Sequence, residues 1–178
     1  ECANGQWLAF LDDDDVWKNN KIEMQINCFE KYDIGLCYTG KEIINTNNQK
    51  MKYSYHRAKF KSDAKSIMWD NFIGTTSSIM VSKDVLMDVG CFDESMPALQ
   101  DYDLYIRICK QYRVQGLNEP LIKYLNNHSK NQLSKNQAHF KKACVLLNNK
   151  YKDLPYSAML SIGLSKLKIK RKIKNIYE

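Results

Sequence analysis

Four consecutive aspartates, Asp12-Asp13-Asp14-Asp15, directly follow the apolar run Trp7-Leu8-Ala9-Phe10-Leu11. Carboxylates a few ångströms apart repel one another, and their proton affinities rise unless a cation or hydrogen-bond donors compensate. The apolar run reads as a buried strand of a parallel sheet, and α/β sheets bind ligands at the carboxyl ends of their strands. A hard divalent cation with oxygen ligands relieves the repulsion and can hold a diphosphate at the same time. A solvated acidic loop or a helix-capping turn is the plainer use of an aspartate run. The strand before this one and Trp17 after it favour the cation. An EF-hand loop is excluded, because Val16 stands where a third oxygen ligand belongs and no glycine follows.

The rest of the chain alternates between strand and helix patterns. Asn20 and Glu23 have capping-box spacing for a helix whose Ile22, Ile26 and Phe29 share a face. Residues 34–39 read as a strand and residues 42–46 as a weaker one before the polar turn Asn47-Asn48-Gln49. Residues 51–70 read as a surface loop with a short helix near residues 64–69. The β-prone stretch 72–81 leads to a helix capped by Ser82 and stopped at Gly90. A helix is expected over residues 101–112 with Leu104, Ile108 and Tyr112 inward. Short strands are expected over 114–117 and 121–125, flanking Glu119-Pro120. From residue 126 the chain turns polar; Ser134 with Gln137 opens a helix with Phe140, Ala143 and Leu147 on one face, and Pro155 starts the last one. Alternating strands and helices predict an α/β domain over residues 1–125, followed by a helical extension over 126–178.

Composition narrows the class only modestly. A hydrophobic fraction of 44% across 178 residues suits one globular domain with an appendage. The formal net charge of +7 favours phosphorylated substrates, anionic lipid or nucleic acid without choosing among them. Six scattered cysteines, Cys2, Cys28, Cys37, Cys91, Cys109 and Cys144, have no zinc-type spacing and read as buried thiols in a reducing cytosol. No apolar stretch approaches the ~20 residues of a membrane span. The chain starts without Met and enters its first strand almost at once, as expected of part of a longer polypeptide.

A second acidic cluster lies at Gln100-Asp101-Tyr102-Asp103-Leu104-Tyr105-Ile106-Arg107. A carboxylate at a helix N-terminus can serve as a general base toward a hydroxyl, its charged form favoured by the helix dipole. Asp103 and Arg107 are four residues apart and can pair along the helix. In the simpler alternative, Asp101 caps the helix and Asp103–Arg107 is only a surface pair.

Together, Asn4-Gly5-Gln6-Trp7-Leu8-Ala9-Phe10-Leu11-Asp12-Asp13-Asp14-Asp15-Val16-Trp17, the following Lys21-Ile22-Glu23-Met24-Gln25 and the second cluster resemble glycosyltransferase family 2. The resemblance implies an incomplete GT-A fold, the Rossmann-like nucleotide-diphospho-sugar transferase type, with a mixed sheet and helices. It implies transfer from a nucleoside-diphosphate-sugar to a saccharide or lipid-linked acceptor, with Mn2+ or Mg2+ as cofactor. By position, Asp12, Asp14 and Asp15 are donor-binding acids, and Asp14 contacts the metal. Asp101 is the base of inverting transfer, while Gln100, Asp103 and Arg107 organise the acceptor side. Gln100 departs from the family's usual Glu. The stretch Gly74-Thr75-Thr76-Ser77-Ser78-Ile79-Met80-Val81 resembles the strand before the acceptor site, its hydroxyls facing either a sugar or only solvent at a sheet edge. His128 sits where related enzymes place a late metal-side histidine; His56 and His139 have no such context. In the family, donor base and ribose are held mainly by strands upstream of these motifs, so this chain alone is expected to bind donor poorly.

The final stretch, Lys166-Leu167-Lys168-Ile169-Lys170-Arg171-Lys172-Ile173-Lys174, is almost purely basic. Ile162, Ile169, Ile173 and Ile176 approximate one helix face, a pattern that suits an anionic membrane surface. The expected setting is cytoplasmic, peripheral at the inner face of the cell membrane, in surface polysaccharide or glycolipid assembly. No nucleic acid is expected, because aromatics do not interleave with the basic run. The alternatives are an inactive remnant of such an enzyme, or a basic lipid- or RNA-binding module whose acids are structural.

Overall fold

The structure is a computed structural model that describes residues 3–45, 50–54, 63–126 and 136–177, with side chains described for residues 3–44, 63–124 and 136–168. Its strands are β1 (Trp7–Ala9), β2 (Asp15–Trp17), β3 (Leu36–Asn45), β4 (Lys50–Ser54), β5 (Ile79–Ser82) and β6 (Val114–Asn126). Its helices are α1 (Lys21–Lys31), α2 (Asp63–Trp69), α3 (Lys83–Asp88), α4 (Gln100–Gln111), α5 (Gln137–Lys150) and α6 (Ser157–Tyr177), with a 3-10 turn at Thr76–Ser78.

The strands form one mixed sheet in the order β1-β5-β3-β6-β2, with β4 paired to β3. Only β3 and β6 run parallel; the other described pairs are antiparallel. The expectation of a buried parallel first strand is therefore corrected: β1 is a half-buried antiparallel strand at the end of the order. Its apolar run reflects packing of Leu8 and Phe10 on the core from one side.

The two strands expected at residues 34–39 and 42–46 are one strand, β3, and the two around Pro120 are one strand, β6. Pairing between them shifts register at Thr39/Gly40 and Gly40/Lys41, so an irregularity replaces the expected break. At the start of β6, a Cβ on Gly116 would lie 2.7 Å from the Tyr38 hydroxyl, which explains the glycine there. The loop expected around residue 51 contains β4, whose Lys50-Met51-Lys52-Tyr53-Ser54 run does alternate but over only five residues. The helix expected near 64–69 is α2.

The capping box at α1 does not form. Asn20 occupies the N-cap position with φ −91 and ψ 2 and makes no side-chain cap bond; its amide reaches Met24 Sδ at 3.3 Å instead. The buried face of α1 carries Lys21, Gln25 and Cys28, with Ile22, Ile26 and Phe29 only half-buried. Lys21 is fully buried, donates to Gln25 Oε1 at 2.6 Å and lies 4.2 Å from the Trp17 ring centroid. Gln25 in turn donates to the carbonyls of Cys37 and Ser78, each at 3.0 Å, tying α1 to β3 and to the 3-10 turn. A polar network replaces the expected apolar seam, and burial lowers the Lys21 pKa to about 8.

Helices α5 and α6 close the same core as the sheet. Leu36, Tyr38 and Val81 from the strands, Leu104, Tyr105 and Ile108 from α4, and Phe140, Leu147, Leu160 and Leu164 from α5 and α6 form one buried cluster. The N-cap of α5 is Asn136, whose Oδ1 accepts from the amides of Ala138 and His139; the expected Ser134 lies outside the described residues. Cys28, Cys37, Cys109 and Cys144 are buried and Cys91 is half-buried, and none of these five forms a disulfide.

Gly163 lets α6 approach α2. A Cβ there would lie 2.7 Å from the Trp69 carbonyl oxygen and 2.9 Å from that of Met68. Helix propensity alone favours Gly163→Ala by about 1 kcal/mol. Overpacking against rigid backbone costs about 1–3 kcal/mol, so the substitution is expected to lower stability in urea unfolding. A stabilised variant would contradict this packing.

Candidate active site

The four aspartates form a tight turn, in which the Asp15 amide donates to the Asp12 carbonyl at 3.1 Å. Asp12 and Asp13 are exposed, Asp14 is half-buried and Asp15 is buried at the start of β2. The 3-10 turn anchors this arrangement from behind. Ser77 Oγ accepts from the Asp12 amide at 3.0 Å, and the Ser77 carbonyl accepts from the Trp17 indole at 3.0 Å. The Thr75 hydroxyl reaches Asp12 Oδ2 at 3.5 Å.

These contacts correct one sequence expectation. Ser77 and Ser78 are buried and engaged, with Ser78 Oγ donating toward the carbonyls of Ile73 and Thr75, so neither faces a sugar. Nor is β5 an edge strand, since it lies between β1 and β3. Thr75 and Thr76 are half-buried.

Asp15 is 6% exposed, and neither of its carboxylate oxygens has a hydrogen-bond partner among the described residues. Burial raises its pKa, opposed by the nearby Ser77 hydroxyl and raised further by the charges of Asp14 and Asp12. Ser77 is thus close enough to be felt but lies outside hydrogen-bond geometry. A buried, doubly unpartnered carboxylate is costly and suits a hard cation with oxygen ligands. No group of three or more His, Cys, Asp or Glu side chains is positioned to hold a metal by itself among the described residues. A cation at this turn therefore needs further oxygens, such as those of a diphosphate.

The second motif lies within electrostatic reach of the first. Asp101 lies in the first turn of α4, preceded by Leu99 at the N-cap with φ 60 and ψ 28. Asp101 therefore sits in the first turn and not at the N-cap position itself. One of its oxygens accepts from the Tyr102 amide at 2.7 Å. Burial pushes its pKa up to about 6; local amides pull it down, Asp12 raises it and Lys41 lowers it. Asp101 thus feels the charge of Asp12, 89 positions earlier in the chain. Tyr105, one turn on from Asp101, is fully buried, and burial and then the charges of Asp101 and Asp12 raise its pKa. Tyr124 on β6, opposite Asp15 in register, is raised by burial and then by Asp15, Asp14 and Asp12.

Asp103 and Arg107 turn away from these acids. Asp103 is fully buried and bonded to Arg107 Nε at 2.9 Å, Lys150 Nζ at 2.9 Å and the Tyr151 hydroxyl at 2.7 Å. Arg107 also donates to the carbonyls of Val89 and Cys91, holding the loop after α3 against α4. The simpler reading of a surface pair fails here, because this pair is an internal junction. Gln100 Nε2 donates to the Met96 carbonyl at 2.9 Å. His128 lies outside the described residues.

Sequence reasoning missed Lys41, Tyr105 and Tyr124. Lys41 had a usable signal: a lysine next to Gly40 in the middle of an otherwise strand-like run. The tyrosines had none, since each looks like ordinary core.

Crystal structures of TarS from S. aureus share this fold. One superposes with a TM-score of 0.61 at 13% identity, covering 92% of this chain and 47% of that one. Another, described as TarS 1-349 in complex with UDP-GlcNAc, gives 0.60 at 12% identity over 88% of this chain and 46% of that one. The architecture is accordingly the GT-A glycosyltransferase α/β fold.

The chain belongs to the glycosyltransferase-like family 2, whose model matches residues 1–155. It is similar to the E. coli UDP-Glc:alpha-D-GlcNAc-diphosphoundecaprenol beta-1,3-glucosyltransferase WfgD, 31% identical over 116 residues, covering 65% of this chain and 43% of WfgD. An uncharacterised glycosyltransferase from Methanocaldococcus jannaschii is 30% identical over 136 residues, covering 75% of this chain and 46% of that protein. The chain thus spans less than half the length of these curated relatives.

Proposed function

We propose that this chain carries the cation-binding and acceptor-side part of an inverting, metal-dependent glycosyltransferase. It moves a sugar from a nucleoside-diphosphate-sugar to an acceptor hydroxyl. The observation that carries the reading is that the charge of Asp12, on the acid turn, acts on the carboxyl of Asp101, at the start of α4. Residues 1–125 form the catalytic part and residues 126–178 a helical extension.

Asp14, half-buried in the turn, holds the divalent cation, with Asp12 and Asp15 on the donor side and His128 as a further ligand. A bound Mn2+ or Mg2+ supplies charge neutralisation for the departing nucleoside diphosphate. Asp101 removes the acceptor hydroxyl proton for in-line displacement. Gln100 flanks the acceptor, and the Asp103–Arg107 junction sets the orientation of α4.

A lipid-linked acceptor is supported by the name of WfgD, which specifies a diphosphoundecaprenol substrate. Such an acceptor fits a cytoplasmic protein peripheral at the inner membrane face, where surface polysaccharide or glycolipid is assembled. No described helix is long and apolar enough to cross a membrane. The basic end of α6 supplies the contact with anionic lipid, each Lys or Arg near the surface adding about 1 kcal/mol.

The direct test is a panel of nucleotide sugars with Mn2+, reading released nucleoside diphosphate, on the chain together with whatever its reading frame encodes upstream. Turnover with at least one donor, lost in Asp14→Ala, supports the proposal. Turnover unchanged in Asp14→Ala refutes the metal assignment.

A further inference from the structure

Lys41 is a cation within electrostatic reach of both acidic motifs, at the cleft that they are proposed to form. It follows the register irregularity at Gly40, where β3 resumes pairing with β6 as Lys41 opposite Ile122. Two residues on, Ile43 is opposite Tyr124, and Tyr124 is opposite Asp15 on β2. Side chains at alternate strand positions share a face, so Lys41, Tyr124 and Asp15 stand on one side of three adjacent strands. The Lys41 ammonium lies 4.7 Å from the Tyr124 ring centroid, a cation–π contact. The groups whose charges act on Lys41 are Asp15, from β2, and Asp101, from α4, and each opposes the loss of its proton caused by burial. Among the described residues it has no ion pair at contact distance. One ammonium is thus suspended between the two acidic motifs, beside the carboxylate whose oxygens are buried without partners.

We infer that the Lys41 ammonium is the resident counter-cation of this cleft and competes there with the divalent cation. The inference rests on the proposed metal role of the acid turn. Before a cation binds, Lys41 offsets the repulsion among Asp12, Asp15 and Asp101. When one binds, the two positive charges repel across the low-dielectric cleft, and Lys41 weakens cation binding. The cleft then favours a cation that arrives with the negative charge of a diphosphate over the bare ion.

The test is Mn2+ binding to the full chain, measured from the free-ion electron paramagnetic resonance signal, with no nucleotide present. Lys41→Met keeps length and removes charge; it is expected to bind Mn2+ roughly tenfold more tightly than the unaltered chain, the effect of one nearby unit charge at intermediate dielectric. Lys41→Arg keeps the charge and is expected to stay near the unaltered affinity, which separates charge from altered packing. Asp14→Ala in the Lys41→Met background is expected to lose the gain. Equal or weaker Mn2+ binding in Lys41→Met, with binding still lost in Asp14→Ala, overturns the role of Lys41 and leaves the metal site standing. Absence of binding in every form, both without nucleotide and in a repeat with a nucleoside diphosphate present, refutes the metal reading and the competition with it.

Discussion

Replacing Asp103 by alanine is expected to destabilise the chain by about 3–5 kcal/mol, the usual cost of removing one partner from a buried ionic cluster. Asp103 is 0% exposed, and its carboxylate receives Arg107, Lys150 and the Tyr151 hydroxyl. Without it, the Arg107 guanidinium and the Tyr151 hydroxyl lose an acceptor in the interior. The damage is shared between two junctions, because Arg107 braces the loop after α3 while Lys150 and Tyr151 end α5. Lys150 also pairs with Asp93 at 2.7 Å, and this cation with Ser95 holds the Asp93 carboxyl down to about 2. That exposed pair is worth little by itself. Lys150→Met is therefore expected to cost much less than Asp103→Ala. Urea unfolding of both variants at neutral pH checks the order, and an Asp103→Ala loss below about 1 kcal/mol would contradict the internal junction.

Asp101→Asn is expected to lower turnover by about 10²–10⁴-fold, the range for losing a positioned general base. Asparagine keeps an oxygen for the Tyr102 amide, so folding should survive. The pH dependence follows from the same carboxyl. Burial, with the charge of Asp12 adding to it, raises its pKa to about 6, and the base acts only when ionised. Turnover should therefore fall as pH drops through about 6 and level off above it. In Asp101→Asn that acid limb should vanish along with most of the rate. An unchanged limb in the variant would assign it to another group.

The sequence allowed the α/β class and both acidic motifs to be recognised because each has a local signature: an apolar run ending in acids, and acids at the start of an amphipathic helix. Helix α4 and the inward Leu104 and Ile108 followed from spacing alone. What could not be read depended on contacts made at long range. The antiparallel placement of β1 is set by β5, over 70 residues later. The fusion of β6 across Pro120 depends on pairing with β3, where the irregularity at Gly40 absorbs the missing donor. Helix α1 misled by pattern, since its isoleucines looked like the buried face while Lys21 and Gln25 in fact occupy it. At the site, Asp103 could not be told from a surface partner of Arg107, because Lys150 and Tyr151 reach it from helix α5 and its end. Lys41 left only the local trace of a lysine beside Gly40, its significance arising where β2, β3, β6 and α4 meet.

The central claim is that the acid turn and Asp101 serve one cation-binding cleft, and paramagnetic broadening by Mn2+ in nuclear magnetic resonance spectra of the labelled chain tests it most directly. The account predicts that substoichiometric Mn2+ broadens the resonances of residues 12–15 together with those of Asp101 and Tyr102, and that Asp14→Ala abolishes both effects. Broadening confined to the turn, with Asp101 untouched, or broadening that survives Asp14→Ala, would contradict it.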